Sequence, residues 1–126
     1  MANEISISLS ITASKNGAKF ERHETFKDDM TGDAWVSGVQ QVGASSEDII
    51  THEDITNYGW IYLKNCGTNT SNYVEFAHDT AAVDGDDNIC RLYGGESCIL
   101  KASSQTALHA ISSSGTQTVE YAIIEL

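Results

Sequence analysis

The sequence predicts an all-β fold: an antiparallel β-sandwich, jelly-roll-like, with about eight or nine short strands. Apolar and polar residues alternate with a period of two along much of the chain, as in strands with one buried face. Turn signals recur about every ten residues, which is the strand spacing of a sandwich or barrel. No convincing amphipathic helix pattern of ten or more residues is present, so antiparallel pairing is favoured over helical crossovers.

The first predicted strand is the clearest. Four aliphatic residues alternate with serines: Ile5, Ile7, Leu9 and Ile11. This pattern gives one apolar and one hydroxyl face. Asn16-Gly17 is a strong signal for a two-residue hairpin turn. Residues 18–26 form the predicted returning strand, with Phe20 and Phe26 expected in the core.

The remaining strands are predicted from shorter runs. Their expected ranges are residues 34–42, 47–51, 59–65, 73–77, 89–92, 97–101, 107–111 and 116–126. Gly38 suggests a β-bulge in the first of these. Residues 52–58 are ambiguous and suit one helical turn that packs Ile55 inward. We expect Trp35 and Trp60 to lie in the core, because aromatic residues in strands are most often buried.

The length bounds the number of domains. With 126 residues and no proline, the chain suits one β-sandwich domain over residues 1–126. Residues 1–11 are a candidate N-terminal arm or edge strand. We expect such a strand to add to the sheet edge of a neighbouring subunit, unless it pairs within its own sheet.

The charge balance excludes several partners. Eighteen acidic and seven basic residues give a net charge of −11, which disfavours nucleic acid and anionic membranes. No apolar run approaches the ~18 residues of a membrane span. Residues 1–9 lack the basic start and apolar stretch of a signal peptide. We therefore expect the protein to be made in a cytoplasm and not to be secreted by a signal peptide.

Three cysteines are present: Cys66, Cys90 and Cys98. An odd number without a C-x-x-C pair is neither a zinc nor a redox pattern. Reduced, half-buried thiols are expected in a cytoplasmic product. A disulfide that forms late, within the chain or between subunits, is the alternative, and the pairing is left open.

One acidic loop resembles part of a calcium site. Asp84, Asp86 and Asn88 occupy positions 1, 3 and 5 of an oxygen-rich loop. However, positions 6 and 12 are Ile89 and Gly95, whereas an EF-hand needs Gly and Glu there. We expect a solvated turn and no metal ion, with a weak cation site as the alternative.

No motif for catalysis is readable. The chain lacks a G-x-S-x-G sequence or a comparable context for a nucleophile, although every residue type needed for hydrolysis occurs. We therefore expect no enzymatic activity and no cofactor. Some aromatic residues could instead form a platform for sugar binding: Trp35, Tyr58, Trp60, Tyr62 and Tyr73.

Four segments of the second half of the chain form a recognisable pattern: residues 59–65 (GWIYLKN), 72–76 (NYVEF), 91–96 (RLYGGE) and 119–125 (VEYAIIE). This pattern resembles that of small virion structural proteins of tailed bacteriophages. It covers roughly residues 59–126, and no catalytic residue carries over. It implies a non-enzymatic virion protein, most of all a head decoration or cement protein that stabilises the capsid.

This resemblance implies partners as well. Such proteins often act as trimers and contact the major capsid protein or another virion protein. Expected interface residues are Ile5, Ile7, Leu9, Ile11, Tyr62 and Tyr73. The alternatives are a receptor- or glycan-binding module of a tail tip or fibre, and a tail-tube or connector component.

Overall fold

A computed structural model describes residues 4–30, 32, 34–45, 48–50, 55–78, 88–105 and 108–125. These residues form ten strands and no helix, so the predicted all-β fold is confirmed. Accordingly, the described part of the chain has no helix with the length and apolar character needed to cross a membrane. The chain divides into two compact units, residues 1–31 and 32–126.

The first unit is a two-stranded antiparallel ribbon. Strand β1 (Ile5–Lys15) pairs with β2 (Ala18–Asp28) along its whole length. The connecting turn has positive φ at both Asn16 (53°) and Gly17 (82°). This conformation matches the twist of the flanking strands and suits an Asn-Gly pair, which confirms the predicted hairpin turn.

This pairing corrects the expectation for the N-terminal arm. Ile5 lies opposite Asp28 and Lys15 opposite Ala18, so one edge of β1 is fully occupied by β2. Residues 5–11 are therefore not an unpaired strand that needs the sheet of a neighbouring subunit for its hydrogen bonds. An assembly role for this segment has to use a face of the ribbon or one of its outer edges.

The second unit contains eight strands. They are β3 (Trp35–Val42), β4 (Asp48–Ile50), β5 (Tyr58–Asn65), β6 (Tyr73–His78), β7 (Asn88–Tyr93), β8 (Ser97–Gln105), β9 (Leu108–Ser112) and β10 (Gln117–Glu125). They form two four-stranded sheets, in the orders β3-β10-β5-β8 and β4-β9-β6-β7. We call these the first and the second sheet.

Strand pairing identifies this unit as a jelly roll. β3 pairs with β10, β4 with β9, β5 with β8 and β6 with β7, all antiparallel. These nested pairs are those of one long hairpin, with its tip between β6 and β7, that has been wound into two sheets. The predicted antiparallel sandwich of jelly-roll type is therefore confirmed.

The core lies between the two sheets. Its buried apolar residues are Val42, Ile55, Tyr58, Ile61, Leu63, Val74, Phe76, Leu92, Leu108, Ala110, Val119 and Ile123. Most occupy alternate positions on their strands, as the pleat requires. Ile55 points inward as predicted, while residues 52–54 of the predicted helical turn lie outside the described residues. Burying these side chains supplies the main driving force for folding of this unit.

Several aromatic residues differ from expectation. Trp60 is buried, but it lies on the outer side of β5 and outside the core cluster between the sheets, and Trp35 is 66 % exposed. Phe20 and Phe26 are also exposed. Trp35 alternates with Val36, which packs against the core, so its own side chain lies on the outer face of an edge strand. The two phenylalanines belong to the ribbon and lie outside the core cluster of the sandwich.

The predicted bulge at Gly38 is also wrong. β3 pairs with β10 without a register shift, and Gly38 lies opposite Tyr121. A Cβ at Gly38 would lie 2.9 Å from the Tyr121 hydroxyl oxygen. The glycine is therefore explained by the close approach of this ring and not by a bulge.

Buried Asn65 ties the end of β5 to the turn between β7 and β8. Its Nδ2 donates to the Leu92 carbonyl (3.0 Å), and its Oδ1 accepts from the Gly67 N–H (2.9 Å). Its backbone N–H donates to the Glu96 carbonyl (3.0 Å), and its carbonyl accepts from the Gly95 N–H (2.8 Å). Asn65 is fully buried, so these bonds satisfy polar groups that water cannot reach.

Replacement of Asn65 should therefore be costly. We expect Asn65→Ala to lower the free energy of unfolding by about 2–4 kcal/mol, because the carbonyl of buried Leu92 and the N–H of half-buried Gly67 lose their partners. Urea denaturation followed by tryptophan fluorescence measures this loss.

The matched control for this variant is Asn69→Ala. Asn69 Oδ1 also accepts a backbone N–H bond, from Ser71 at 2.8 Å, but both residues are exposed. Its loss should cost less than about 1 kcal/mol. Equal losses in the two variants would contradict the stabilising role of Asn65.

Candidate assembly interface

One face of the ribbon carries its large apolar side chains, together with the charged residues Lys15, Arg22, Glu24 and Asp28. Residues directly opposite in an antiparallel pair share a face, so β1 and β2 contribute to it together. We define the ribbon face by its apolar members Ile5, Ile7, Leu9, Ile11, Ala13, Phe20 and Phe26. Phe20 lies opposite Ala13, and Phe26 opposite Ile7. The sequence-based interface omitted both phenylalanines, although the register imposed by the Asn16-Gly17 turn places them there.

Exposure varies along the ribbon face. Ile5 and Ile7 are buried, whereas Leu9 (43 %), Ile11 (55 %) and Phe20 (48 %) are exposed. The exposed side chains lie toward the hairpin turn. A contiguous exposed apolar patch of this kind is a common mark of an interaction site.

The opposite face of the ribbon is polar. Hydroxyl residues of β1 alternate with the apolar ones, and β2 contributes Lys19, Glu21 and His23. Glu21 forms an ion pair with Lys19 (2.6 Å) and a hydrogen bond with His23 Nε2 (2.8 Å). The hydrogen bond from Lys19, followed by that from His23, lowers the pKa of the Glu21 carboxyl group. This face is suited to water, so the ribbon is amphipathic.

A second exposed apolar surface lies on the first sheet. Residues in register that point away from the core form what we call the sheet face: Trp35, Ser37, Val39, Trp60, Tyr62, Lys64, Ser97, Ile99, Lys101, Glu120, Ala122 and Ile124. Trp35 and Val39 are more than 60 % exposed. The Lys101 Nζ lies 5.4 Å from the centre of the Trp60 ring, within cation–π range.

The outer side of the second sheet carries an ion pair between the buried carboxylate of Glu75 and the exposed guanidinium of Arg91. Arg91 Nε donates to Glu75 Oε1 at 2.8 Å, and the guanidinium lies 4.1 Å from the centre of the Tyr73 ring. Glu75 is only 2 % exposed. Hydrogen bonding to Glu75, and then to Tyr93, raises the pKa of the Arg91 guanidinium. The pair holds β6 against β7 across the register.

The six predicted interface residues are thus distributed over three surfaces. Ile5, Ile7, Leu9 and Ile11 belong to the ribbon face. Tyr62 lies half-buried on the sheet face, and Tyr73 lies on the second sheet beside Arg91. Tyr62 and Tyr73 belong to different sheets of the sandwich, so the fold does not bring these two predicted residues into one patch.

Charge is distributed unevenly between the two units. Residues 1–31 contain four bases and five acids, for a net charge of −1. Residues 32–126 contain three bases and 13 acids, for a net charge of −10. The ribbon is therefore nearly neutral, whereas the sandwich is strongly acidic.

The candidate cation loop gains no support from the structure. Asp84 and Asp86 lie outside the described residues, and Asn88 begins β7 without a described side chain. Within the described ranges, no group of three or more His, Cys, Asp or Glu side chains is arranged to hold a metal ion. The absence of a metal and of enzymatic activity remains a prediction.

Two of the three cysteines lie close together. The Sγ atoms of Cys90 and Cys98 are 3.8 Å apart, and both residues are half-buried. Cys66 is exposed. All three are free thiols in the structure, and the late disulfide, which is the alternative to the reduced thiols expected from the sequence, stays untested.

Comparison with known proteins identifies no relative. No protein family, curated protein or solved structure matches this chain. Its function is therefore inferred from the surfaces of the protein itself.

The Arg91–Glu75 pair generates a test of the second sheet. We expect Arg91→Ala to lower the urea midpoint clearly, because it removes the charged partner of a buried carboxylate. Lys19→Ala removes an exposed ion pair of the ribbon and should leave the midpoint nearly unchanged. Arg91→Lys keeps the charge but loses the planar fork, so its midpoint should fall between the two. A midpoint for Arg91→Ala equal to that for Lys19→Ala would contradict the stabilising role of this ion pair.

Proposed function

We propose that this protein is a non-enzymatic structural subunit that works by assembly, with the ribbon face of one copy seated on a second copy of the chain. The observation that carries the proposal is the exposed apolar face of the paired ribbon. A two-stranded hairpin is marginally stable in water, and covering Leu9, Ile11 and Phe20 would stabilise it.

Charge favours a second copy as the occupant. The ribbon holds four of the seven bases of the chain, whereas the sandwich has a net charge of −10. A ribbon approaching the sandwich of a neighbour therefore meets much less repulsion than two sandwiches would. The exposed Trp35 and Val39 of the sheet face provide an apolar surface of matching character.

This contact joins two different surfaces, so it is heterologous. Heterologous contacts close into rings or continue as filaments, and we propose a closed ring such as a trimer. In a ring, every ribbon face is covered and every copy both donates and receives a ribbon.

Among structural subunits, we propose a bacteriophage virion protein of the head decoration or cement class. The jelly roll is a common fold of viral capsid proteins, although a fold alone does not imply a function. The net charge of −11 suits an outer surface better than contact with packaged DNA. The resemblance of residues 59–126 to small virion proteins points the same way.

A second candidate is a receptor- or glycan-binding module of a tail tip or fibre. The observation that favours it is Trp35, whose ring is largely exposed on a jelly-roll sheet. Lectins also use this fold, and exposed aromatic rings can stack on sugars. The third possibility is a tail-tube or connector component, which would form larger rings.

Native mass tests the assembly surface. We expect the wild-type protein to give a discrete oligomer by light scattering under reducing conditions. The double variant Leu9→Lys/Ile11→Glu should shift to monomer. Each new charge lies opposite a complementary one, Glu24 or Arg22, so the hairpin is kept while its apolar face is lost.

The matched control places the same two charges on the polar face. Ser8→Lys/Ser10→Glu leaves the net charge unchanged, as the test variant does, and its glutamate lies opposite His23. This control should keep the wild-type mass. A monomeric wild-type protein, or a control variant that dissociates while the test variant does not, would refute the ribbon face as the interface.

Location on particles tests the virion proposal. Gold-labelled antibody against the protein should mark phage heads in electron micrographs of particles from cultures that carry the gene. Label confined to tail tips would favour the glycan-binding module, and label along tails the tube component. Particles that never carry label would contradict a virion role.

A further inference from the structure

The Cys90–Cys98 pair lies at the edge where the two sheets meet. Cys90 is on β7, the last strand of the second sheet, and Cys98 is on β8, the last strand of the first. Both side chains pack against the core cluster from opposite sheets. Their Sγ atoms are 3.8 Å apart, within van der Waals contact.

The fold itself fixes this approach. Cys90 lies opposite Phe76 in the second sheet, and Cys98 lies opposite Leu63 in the first. The turn between them is held by the backbone and side-chain bonds of Asn65. The two thiols therefore meet because both of their strands are anchored, and not because one flexible side chain has turned.

Tight packing supports this turn. A Cβ at Gly94 would lie 2.5 Å from the Asn69 carbonyl oxygen, so only glycine fits there. The next residue, Gly95, has a φ of +90°, which glycine adopts without strain. These contacts fix the conformation of the short turn between the two cysteines.

We propose that Cys90 and Cys98 form an oxidation site, which closes into an intrachain disulfide between the two sheets when the protein meets a low-molecular-weight disulfide such as oxidised glutathione. This inference goes beyond the proposed function and does not depend on it. Cys66, which is exposed, takes no part.

The two thiols are chemically unequal. Their mutual hydrogen bond raises the pKa of Cys90 and lowers that of Cys98. Cys98 therefore ionises first, and the thiolate is the attacking species in disulfide exchange.

The exchange proceeds in two balanced steps. The Cys98 thiolate attacks one sulfur of oxidised glutathione, which breaks its S–S bond, releases one glutathione thiolate and leaves a mixed disulfide. Cys90 then loses its proton and attacks the Cys98 sulfur, which releases the second glutathione. The protein loses two electrons and two protons, and the oxidant gains them as two thiols.

Bond formation requires only a small displacement. The sulfurs must close from 3.8 Å to about 2.05 Å, and rotation of the two half-buried side chains can supply this. The product joins the edge strands β7 and β8 covalently and so ties the two sheets on one side of the sandwich.

Mass spectrometry of the full-length Cys66→Ser variant tests the assignment. Removal of Cys66 matters because trypsin cleaves after Lys64, Arg91 and Lys101, so residues 65–91 would otherwise contain two cysteines. After oxidised glutathione is added, we expect a mass lower by two hydrogen atoms, no alkylation, and peptide 65–91 linked to peptide 92–101. Persistent alkylation of both cysteines, or glutathione adducts that never resolve, would overturn the proposal.

Two further measurements constrain it. When the Cys66→Ser variant is treated briefly with oxidised glutathione and quenched with acid, the transient glutathione adduct should lie on peptide 92–101, which contains Cys98; an adduct mainly on peptide 65–91, which contains Cys90, would overturn the assigned attack. In the Cys66→Ser variant, oxidation should raise the thermal midpoint by roughly 5–15 °C. An unchanged or lower midpoint would overturn the inference that the bond fits the folded sandwich.

Discussion

Burial of one row of side chains from each strand between two sheets is the constraint on which the sandwich depends. Inward residues such as Ile61, Leu63, Val74 and Phe76 are completely buried, and the pleat turns their neighbours the other way. The nested pairing of the eight strands from β3 through β10 brings these inward rows face to face. The side chains that alternate with this inward row lie on the outer surfaces, so the same alternation determines which residues face away from the core.

The ribbon shows the same alternation without a second sheet in its own unit. Its apolar row is as regular as a core strand, yet Leu9, Ile11 and Phe20 remain exposed. Such a pattern costs solubility and stability unless another surface covers it. The uneven charge of the two units adds a physical reason for that surface to be an acidic neighbour, which is the basis of the assembly proposal.

The turn between β7 and β8 is held by buried polar contacts and connects the strands that carry the two neighbouring cysteines. Asn65 satisfies buried backbone groups there, and Gly94 allows the turn to pack against another loop. The same turn joins the two sheets and brings Cys90 near Cys98. The anchoring of one connection thus also brings together the two thiols that we propose as an oxidation site.

Much of the fold could be predicted because its determinants are local. Asn16-Gly17 favours one turn geometry, and that turn fixes the entire register of the ribbon. The alternation of apolar residues and serines along β1 is likewise a local pattern. The same register places Phe20 on the ribbon face, opposite Ala13. Its aromatic side chain had instead favoured the expectation of a core position.

The exposure of Trp35 and the pairing of the cysteines depend on contacts between strands that are distant in the sequence. Both faces of β3 carry apolar residues, so the exposure of Trp35 depends on which side the second sheet covers. The pairing of Cys90 with Cys98, and not with Cys66, depends on two strands of different sheets meeting at one edge. Local sequence patterns predict the strands, the turns and the amphipathic ribbon, because these features depend on backbone preference and on the period of the side chains. The inner faces and the thiol pairing depend on contacts between distant strands, which no local pattern encodes.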